Sequence, residues 1–184
     1  QLPSCWVATL KVLDKANGTT YPVYKDAYYD ESAWTNVPGG LMMKAETMLA
    51  FCDFGVPANT LRVSFSGVYA PANSAVQMPM NLEVGVMSNP TDPASFELAE
   101  TIVLDDTKTP KSVEVLLNKV KSTGKFIAFR ASDACRITDI RVDVIPECVS
   151  PINVRLLTYD NTTATFAWDP RGDAQSYKLQ MGEF

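Results

Sequence analysis

The sequence predicts an all-β protein: an antiparallel, jelly-roll-like β-sandwich followed by a partial second unit of three strands. Three observations predict it. Turn formers recur at short intervals: Asn17-Gly18, Pro38-Gly39-Gly40, Gly55-Val56-Pro57, Asn89-Pro90, Asp92-Pro93 and Gly124. The apolar runs between them alternate with a period of two, the pattern of strands with one buried face. No comparable segment sustains the spacing of an amphipathic helix.

Residues 41–51 hold good helix formers, among them Met42, Met43, Ala45, Glu46, Met48 and Leu49, but follow directly on a Pro-Gly-Gly turn. They read as two short strands around Lys44-Ala45-Glu46, with a one- or two-turn helix as the competing reading. Leu61-Arg62-Val63-Ser64-Phe65-Ser66 and Asn81-Leu82-Glu83-Val84-Gly85-Val86 alternate apolar and polar. Val113, Val115 and Leu117 do so against Ser112 and Glu114, and Ile140, Val142 and Val144 against Asp139, Arg141 and Asp143. Phe126-Ile127-Ala128-Phe129 is apolar on both faces and reads as a central, covered strand. About ten strands between Cys5 and Ile145 suit two stacked sheets, each burying its apolar side. The expected core includes Leu61, Val63, Phe65, Leu82, Val84, Val86, Phe126, Phe129, Ile140 and Val142.

Pro146-Glu147-Cys148-Val149-Ser150-Pro151 breaks this pattern, since prolines favour an extended connector. The first domain is therefore expected over 1–146, and a connector with a truncated second unit over 147–184. Ile152-Asn153-Val154-Arg155-Leu156, Ala164-Thr165-Phe166-Ala167-Trp168 and Tyr177-Lys178-Leu179-Gln180-Met181 are its three strands. A full sandwich needs about 100 residues, so a unit of this kind is expected to stop short, with edges exposed.

Composition excludes several functions. Sixteen basic side chains against twenty-one acidic ones give a net charge of −5, without the basic stripe of a nucleic-acid binder. The densest basic stretch, residues 108–125, is interleaved with Glu114 and apolar residues. The chain has no histidine, so Ser-His-Asp and Cys-His arrangements are impossible within it. No run of about 18 apolar residues could span a membrane as a helix. Cys5, Cys52, Cys135 and Cys148 lack metal-ligand spacing; they are free thiols or disulfides, with three full pairings possible. For Cys148, Cys5 or Cys52 is expected as partner rather than Cys135, because twelve extended residues separate the last two too far.

Pro151, Trp168 in Ala-Trp-Asp-Pro and Tyr177 in Ser-Tyr-Lys-Leu-Gln give the last segment a resemblance to the opening of a fibronectin type III domain. The first domain resembles the MAM-like, cleaved-adhesin class of jelly-roll modules. The resemblance is carried, in order, by Leu2-Pro3-Ser4-Cys5-Trp6 and Leu61-Arg62-Val63-Ser64-Phe65. Leu82-Glu83-Val84-Gly85-Val86-Met87 with Asp92-Pro93-Ala94-Ser95-Phe96 come next, then Gly124-Lys125-Phe126-Ile127-Ala128-Phe129. Thr138-Asp139-Ile140-Arg141-Val142 and the Pro146–Pro151 connector complete it. This resemblance implies a non-catalytic module in a larger secreted or outer-membrane-surface protein, binding a glycan or a host or surface protein, sometimes with structural calcium. Asp14, Asn17 and Asp139 would supply calcium ligands if the first and last strands of the domain are neighbours. The family's acidic, glycine-rich stretch and its Asp-Asp pair are replaced here by Leu13-Asp14-Lys15-Ala16-Asn17-Gly18 and Thr138-Asp139, which weakens that reading.

The candidate ligand site is an aromatic cluster. Tyr21, Tyr24, Tyr28, Tyr29 and Trp34 fall within fourteen residues, among Lys25, Asp26, Asp30 and Glu31. Flat rings cover the apolar face of a pyranose while carboxylates and amides bond its hydroxyls. Tyr24, Tyr28, Tyr29 and Trp34 are the expected contacts; the competing reading makes them ordinary core and rim residues. Arg171-Gly172-Asp173 reads as a turn and Asp105-Asp106 as a solvated loop. The functional expectation is an adhesive or carbohydrate-binding module, not an enzyme; the alternative is an architectural spacer in a secreted peptidase or glycan-degrading enzyme.

Overall fold

The structure is a computed structural model that describes residues 4–10, 27–30, 39–70, 79–160, 162–171 and 176–178. Its contacts divide the chain into two units, Gln1–Val144 and Ile145–Phe184.

Ten strands are described in the first unit: β1 (Val7–Leu10), β2 (Ala27–Asp30), β3 (Gly40–Met43), β4 (Thr47–Ala50), β5 (Leu61–Tyr69), β6 (Met80–Met87), β7 (Phe96–Leu104), β8 (Lys111–Leu116), β9 (Phe126–Ala131) and β10 (Cys135–Val144). They form two five-stranded sheets, β1-β4-β9-β6-β7 and β2-β3-β10-β5-β8, and every pairing is antiparallel. Residues 41–51 do form two strands. Their turn holds Glu46 at a φ of 60°, and it carries the chain from one sheet to the other. Such switching recurs at β4–β5, β5–β6, β7–β8, β8–β9 and β9–β10, so the two sheets are built together. No α-helix occurs among the described residues; three single 3-10 turns are the only helical backbone there.

Alternation sets the faces. On β5, Leu61, Val63 and Phe65 are buried between the sheets while Arg62, Ser64 and Ser66 lie on the opposite side. The rings of Phe65 and Phe129 meet at 5.1 Å across the sandwich, and Phe51 meets Phe129 edge-on at 4.9 Å. Seven of the expected core residues are fully buried: Leu61, Val63, Phe65, Leu82, Val84, Val86 and Phe129. Phe126, Ile140 and Val142 are only half-buried. Phe126 shares the outer face of its sheet with Ala128, in a small second cluster with Met48, Ala50 and Met87. Ile140 and Val142 lie beyond Cys135–Ile137, the stretch of β10 that β3 flanks, and so lose a neighbour on that side.

The N-terminal strand is pinned twice. In the β1–β4 ladder Val7 faces Ala50, and two residues further the same register brings Cys5 opposite Cys52, which form a disulfide. The adjacent Trp6 stacks on Phe51 at 4.5 Å. Cys148 is therefore not bridged to either of them, contrary to the sequence expectation: it is an exposed free thiol, and Cys135 a buried one. Ladder register, which the spacing of cysteines does not reveal, made the choice.

In the second unit β11 (Ile152–Tyr159) and β12 (Ala164–Asp169) form an antiparallel hairpin. Tyr177 and Lys178 of the third expected strand join no ladder, and 179–181 lie outside the described residues. The Trp168 and Tyr177 rings meet at 6.2 Å. The whole of β11 is exposed, including Val154, Leu156 and Leu157.

Candidate functional site

Tyr28 and Tyr29 lie on β2, the edge strand of the second sheet, in register with Met42 and Leu41 of β3. Tyr24 and Trp34 lie outside the described residues. The chain leaves β2 at Asp30 and re-enters the sheet at Gly40, its register partner. Gly40 abuts β10 so closely that a Cβ there would meet the Ile137 carbonyl oxygen at 2.6 Å and the Thr138 Cγ2 at 2.7 Å. Asp30 and Gly40 thus mark the corner of the sheet beside Thr138.

From that corner the outer face of the second sheet runs inward as a polar grid, which the sequence reading had not assembled. Register sets three rows across β8, β5 and β10: Ser112, Ser66 and Thr138; Glu114, Ser64 and Arg141; Leu116, Arg62 and Asp143. Strands lie about 4.8 Å apart and alternate residues about 6.8 Å apart, so the nine positions span about 10 by 14 Å, with Thr138 and Leu116 buried at opposite corners. The half-buried Arg62 guanidinium donates to Glu114 at 3.2 Å and lies 4.0 Å from the Asp143 carboxylate. Ser64 and Ser66 form a low floor of hydroxyls. Arg141 is exposed, and the structure gives it no ion pair or hydrogen bond to the described residues.

A β-bulge makes this arrangement. Thr138 faces Ser66 and Arg141 faces Ser64, so β10 spends three steps where β5 spends two. Before the bulge Cys135 and Ile137 point into the core; after it Ile140 and Val142 pack inward. The extra residue is accommodated at Asp139, whose φ of 55° is left-handed, a conformation uncommon outside glycine but open to aspartate. The Thr138 hydroxyl donates to the Asp139 carboxylate at 3.0 Å. The inversion of phase between Ile137 and Ile140 is visible in the sequence and is the signal that could have located the grid.

The outer face of the first sheet is different. Met48, Ala50, Met87 and Ala128 are closed off from solvent. Phe96 lies over Gly85, where a Cβ would come within 2.7 Å of its ring. The Arg130 guanidinium covers Phe96 at 4.8 Å from the ring centroid and is ion-paired with Glu83.

The calcium expectation required β1 and β10 to be neighbours. They belong to different sheets: β1 pairs with β4, and β10 with β3 and β5. Asp139 is exposed at the bulge, Asp14 and Asn17 lie outside the described residues, and no group of three or more acidic or cysteine side chains suited to a metal ion occurs among the described ones. Asp105 and Asp106 are exposed in the turn after β7. Asp106 accepts from the backbone N–H groups of Lys108 and Thr109 at 2.7 and 3.1 Å, bonds that hold its carboxyl below the usual range. The Arg171 N–H donates to the Tyr177 hydroxyl at 2.8 Å; Gly172 and Asp173 lie outside the described residues. No helix among the described residues is long and apolar enough to cross a membrane.

No protein-family model matches the chain, and no characterised protein sequence does. Solved structures do match. The K1 cleaved adhesin domain of Lys-gingipain from Porphyromonas gingivalis W83 superposes with a TM-score of 0.52 at 13% identity, covering 79% of this chain and 94% of that one. The K3 cleaved adhesin domain of the same protein superposes with a TM-score of 0.51 at 14% identity, covering 76% and 92%. A Family 16 carbohydrate-binding module aligns at a TM-score of 0.38 and 13% identity, covering 72% and 96%, too remote to bear on this chain. At these identities the likeness is one of fold: this chain shares the β-sandwich of the cleaved adhesin domains.

Proposed function

We propose that the chain is a non-catalytic binding module of an extracellular or outer-membrane-surface protein, and that its first domain, 1–146, binds a glycan or a glycosylated surface. The observation that carries this reading is the polar grid on β8, β5 and β10 of the second sheet, with Tyr28 and Tyr29 on the edge strand β2 one strand beyond it, across β3. Hydroxyls, carboxylates and guanidinium groups spread over one face suit a ligand made of hydroxyls. Tyr24, Tyr28 and Trp34 would supply the stacking faces; Tyr29 holds the register position opposite the core residue Leu41, on the other face of the sheet. A chain without histidine lacks the commonest general base, which favours recognition over catalysis. The shared fold of the cleaved adhesin domains supports an adhesive setting. Residues 147–184 form the connector and the start of a fibronectin type III-like unit.

One or two stacked rings give weak binding, about 0.1–1 mM, or roughly 4–5.5 kcal/mol, so adhesion would rely on neighbouring modules acting together. A glycan array followed by titration of Trp34→Ala and Tyr28→Ala tests the reading, Tyr28 being the β2 tyrosine in register on the grid's face of the sheet. Both variants should lose at least tenfold in affinity. If no glycan binds, or if both variants bind like the parent, this glycan reading fails and the architectural-spacer reading gains.

A further inference from the structure

We infer that Arg141 is the anchor of an anion subsite, and that the ligand of the grid is an acidic glycan whose sugar carboxylate pairs with its guanidinium. This rests on the glycan reading above and specifies the ligand's chemistry.

Four charged side chains stand in the three rows of the grid, and three of them are engaged; Arg136, further along the same face, is buried and engaged as well. Arg62 bonds Glu114 at 3.2 Å and approaches Asp143 at 4.0 Å, so both nearby carboxylates are drawn toward one guanidinium. On Arg141's own strand an acid stands two residues away on either side: Asp143 is partnered by Arg62, and Asp139 accepts from the Thr138 hydroxyl. Glu114, the acid in Arg141's row, stands two strands away across Ser64, about 10 Å between backbones. Arg141 is left as the one open cation of the grid among the described residues.

The bulge gives this cation its position. Uninterrupted alternation from Cys135 and Ile137 would send Arg141 inward and leave Ile140 on the grid. The left-handed residue Asp139 reverses the phase and places Arg141 opposite Ser64. Bulges of this kind re-aim side chains beside functional sites, and strained backbone concentrates where it serves a site. A planar guanidinium matches a carboxylate with two parallel hydrogen bonds. The row then orients the sugar: its carboxylate on Arg141, its hydroxyls over Ser64 and toward Glu114.

The experiment titrates the whole chain with hyaluronan tetrasaccharide, oligogalacturonate and sialyllactose, each beside a neutral counterpart: carboxyl-reduced hyaluronan, galacto-oligosaccharide and lactose. A sulfated, carboxyl-free oligosaccharide separates carboxylate recognition from general anion binding. The expected result is a preference for one carboxylated ligand of about tenfold or more, the scale of a charge-assisted hydrogen bond, weakening with added salt. Arg141→Gln should abolish that preference, bringing the acidic ligand down to the affinity that the same variant has for its neutral counterpart, and Arg141→Lys should keep part of it. Arg141 is exposed, and unchanged circular dichroism in both variants would show that the fold is intact. Equal binding of acidic and neutral ligands, tighter binding of the sulfated probe than of every carboxylated one, or a preference that survives Arg141→Gln would overturn the inference and leave the glycan reading standing. Binding to no member of the panel or of the array would end both.

Discussion

Burial pushes the Cys135 thiol up to about 12, and the nearby Asp133 carboxylate adds to the effect. A thiol attacks only as its thiolate, so Cys135 should resist iodoacetamide in the native protein while the exposed Cys148 reacts. Intact mass should show one adduct at pH 8 and two after denaturation; two in the native protein would mean that the first domain opens readily. Phe129, at the meeting point of Phe51 and Phe65, should cost about 3–5 kcal/mol in urea unfolding when replaced by alanine. Three other groups set a pH dependence. Hydrogen bonds from backbone N–H groups lower Asp106 and Asp160 below their ordinary value. Carboxyls lowered in the folded state stabilise it above about pH 4 and lose that contribution as the pH falls through the folded value. Tyr69 is raised, chiefly by donating to Asp133 at 2.8 Å. Its contribution is present below about pH 10 and is lost as the pH rises through the higher folded value. Asp106→Asn keeps an acceptor without a titrating charge and should flatten the acid limb of a stability–pH curve, while the alkaline limb stays. At this level the sequence was legible where chemistry depends on residue type, as with the missing histidine, and illegible where it depends on neighbours, as with Asp133 beside both Tyr69 and Cys135.

Strands were easier to read than their partners. The alternation in β5 and β6 assigned their buried faces correctly, because a period of two allows only one set inward. Residues 41–51 were separable into two strands, yet nothing local says that β3 and β4 belong to different sheets. That outcome depends on which strands lie beside them, β10 for β3 and β9 for β4, both far along the chain. The disulfide was missed for the same reason, since Cys5 and Cys52 meet only once β1 lies on β4. Closing a loop with a sequence separation of 47 is worth about 4 kcal/mol in the chain-entropy model. Reduction should therefore lower the urea midpoint, and Cys5→Ala with Cys52→Ala should reproduce the loss. Gly85 illustrates a packing constraint that sequence leaves silent. Its missing side chain lets the Phe96 ring lie across β6 under Arg130. Gly85→Ala would press on the Glu97 carbonyl oxygen of β7 as well as on that ring and should destabilise the domain by about 1–3 kcal/mol, with the indole of Trp6 and the Phe51 stack unaffected in near-ultraviolet circular dichroism.

Taken as a whole, the chain joins two units of unequal internal support. The first closes ten described strands around one core and a small outer cluster. The second has a single described hairpin whose first strand is exposed along its entire length, with Leu157 at 56% and Tyr159 at 74%. Its side chains have the apolar content of a sandwich strand without the burial, which is why the alternation in 152–156 was readable while its burial was not: pattern reports what a strand is suited to cover, and a second layer must be there to be covered. A two-stranded hairpin is marginally stable by itself. Local opening should therefore cost far less in β11 and β12 than in β9, where Ile127, Ala128 and Phe129 are sealed between neighbours on both sides. Amide hydrogen exchange measures this directly, because protection scales with the free energy of the opening that exposes each N–H. Peptides from β11 and β12 should exchange within seconds to minutes, and those from β9 only at the rate set by global unfolding of the first domain. Residues 1–146 prepared alone should show the same protection in β9 and the same melting temperature as the full chain. A lower melting temperature, or equal protection in β9 and β11, would show that the two units unfold as one and that 1–146 is not an independent domain.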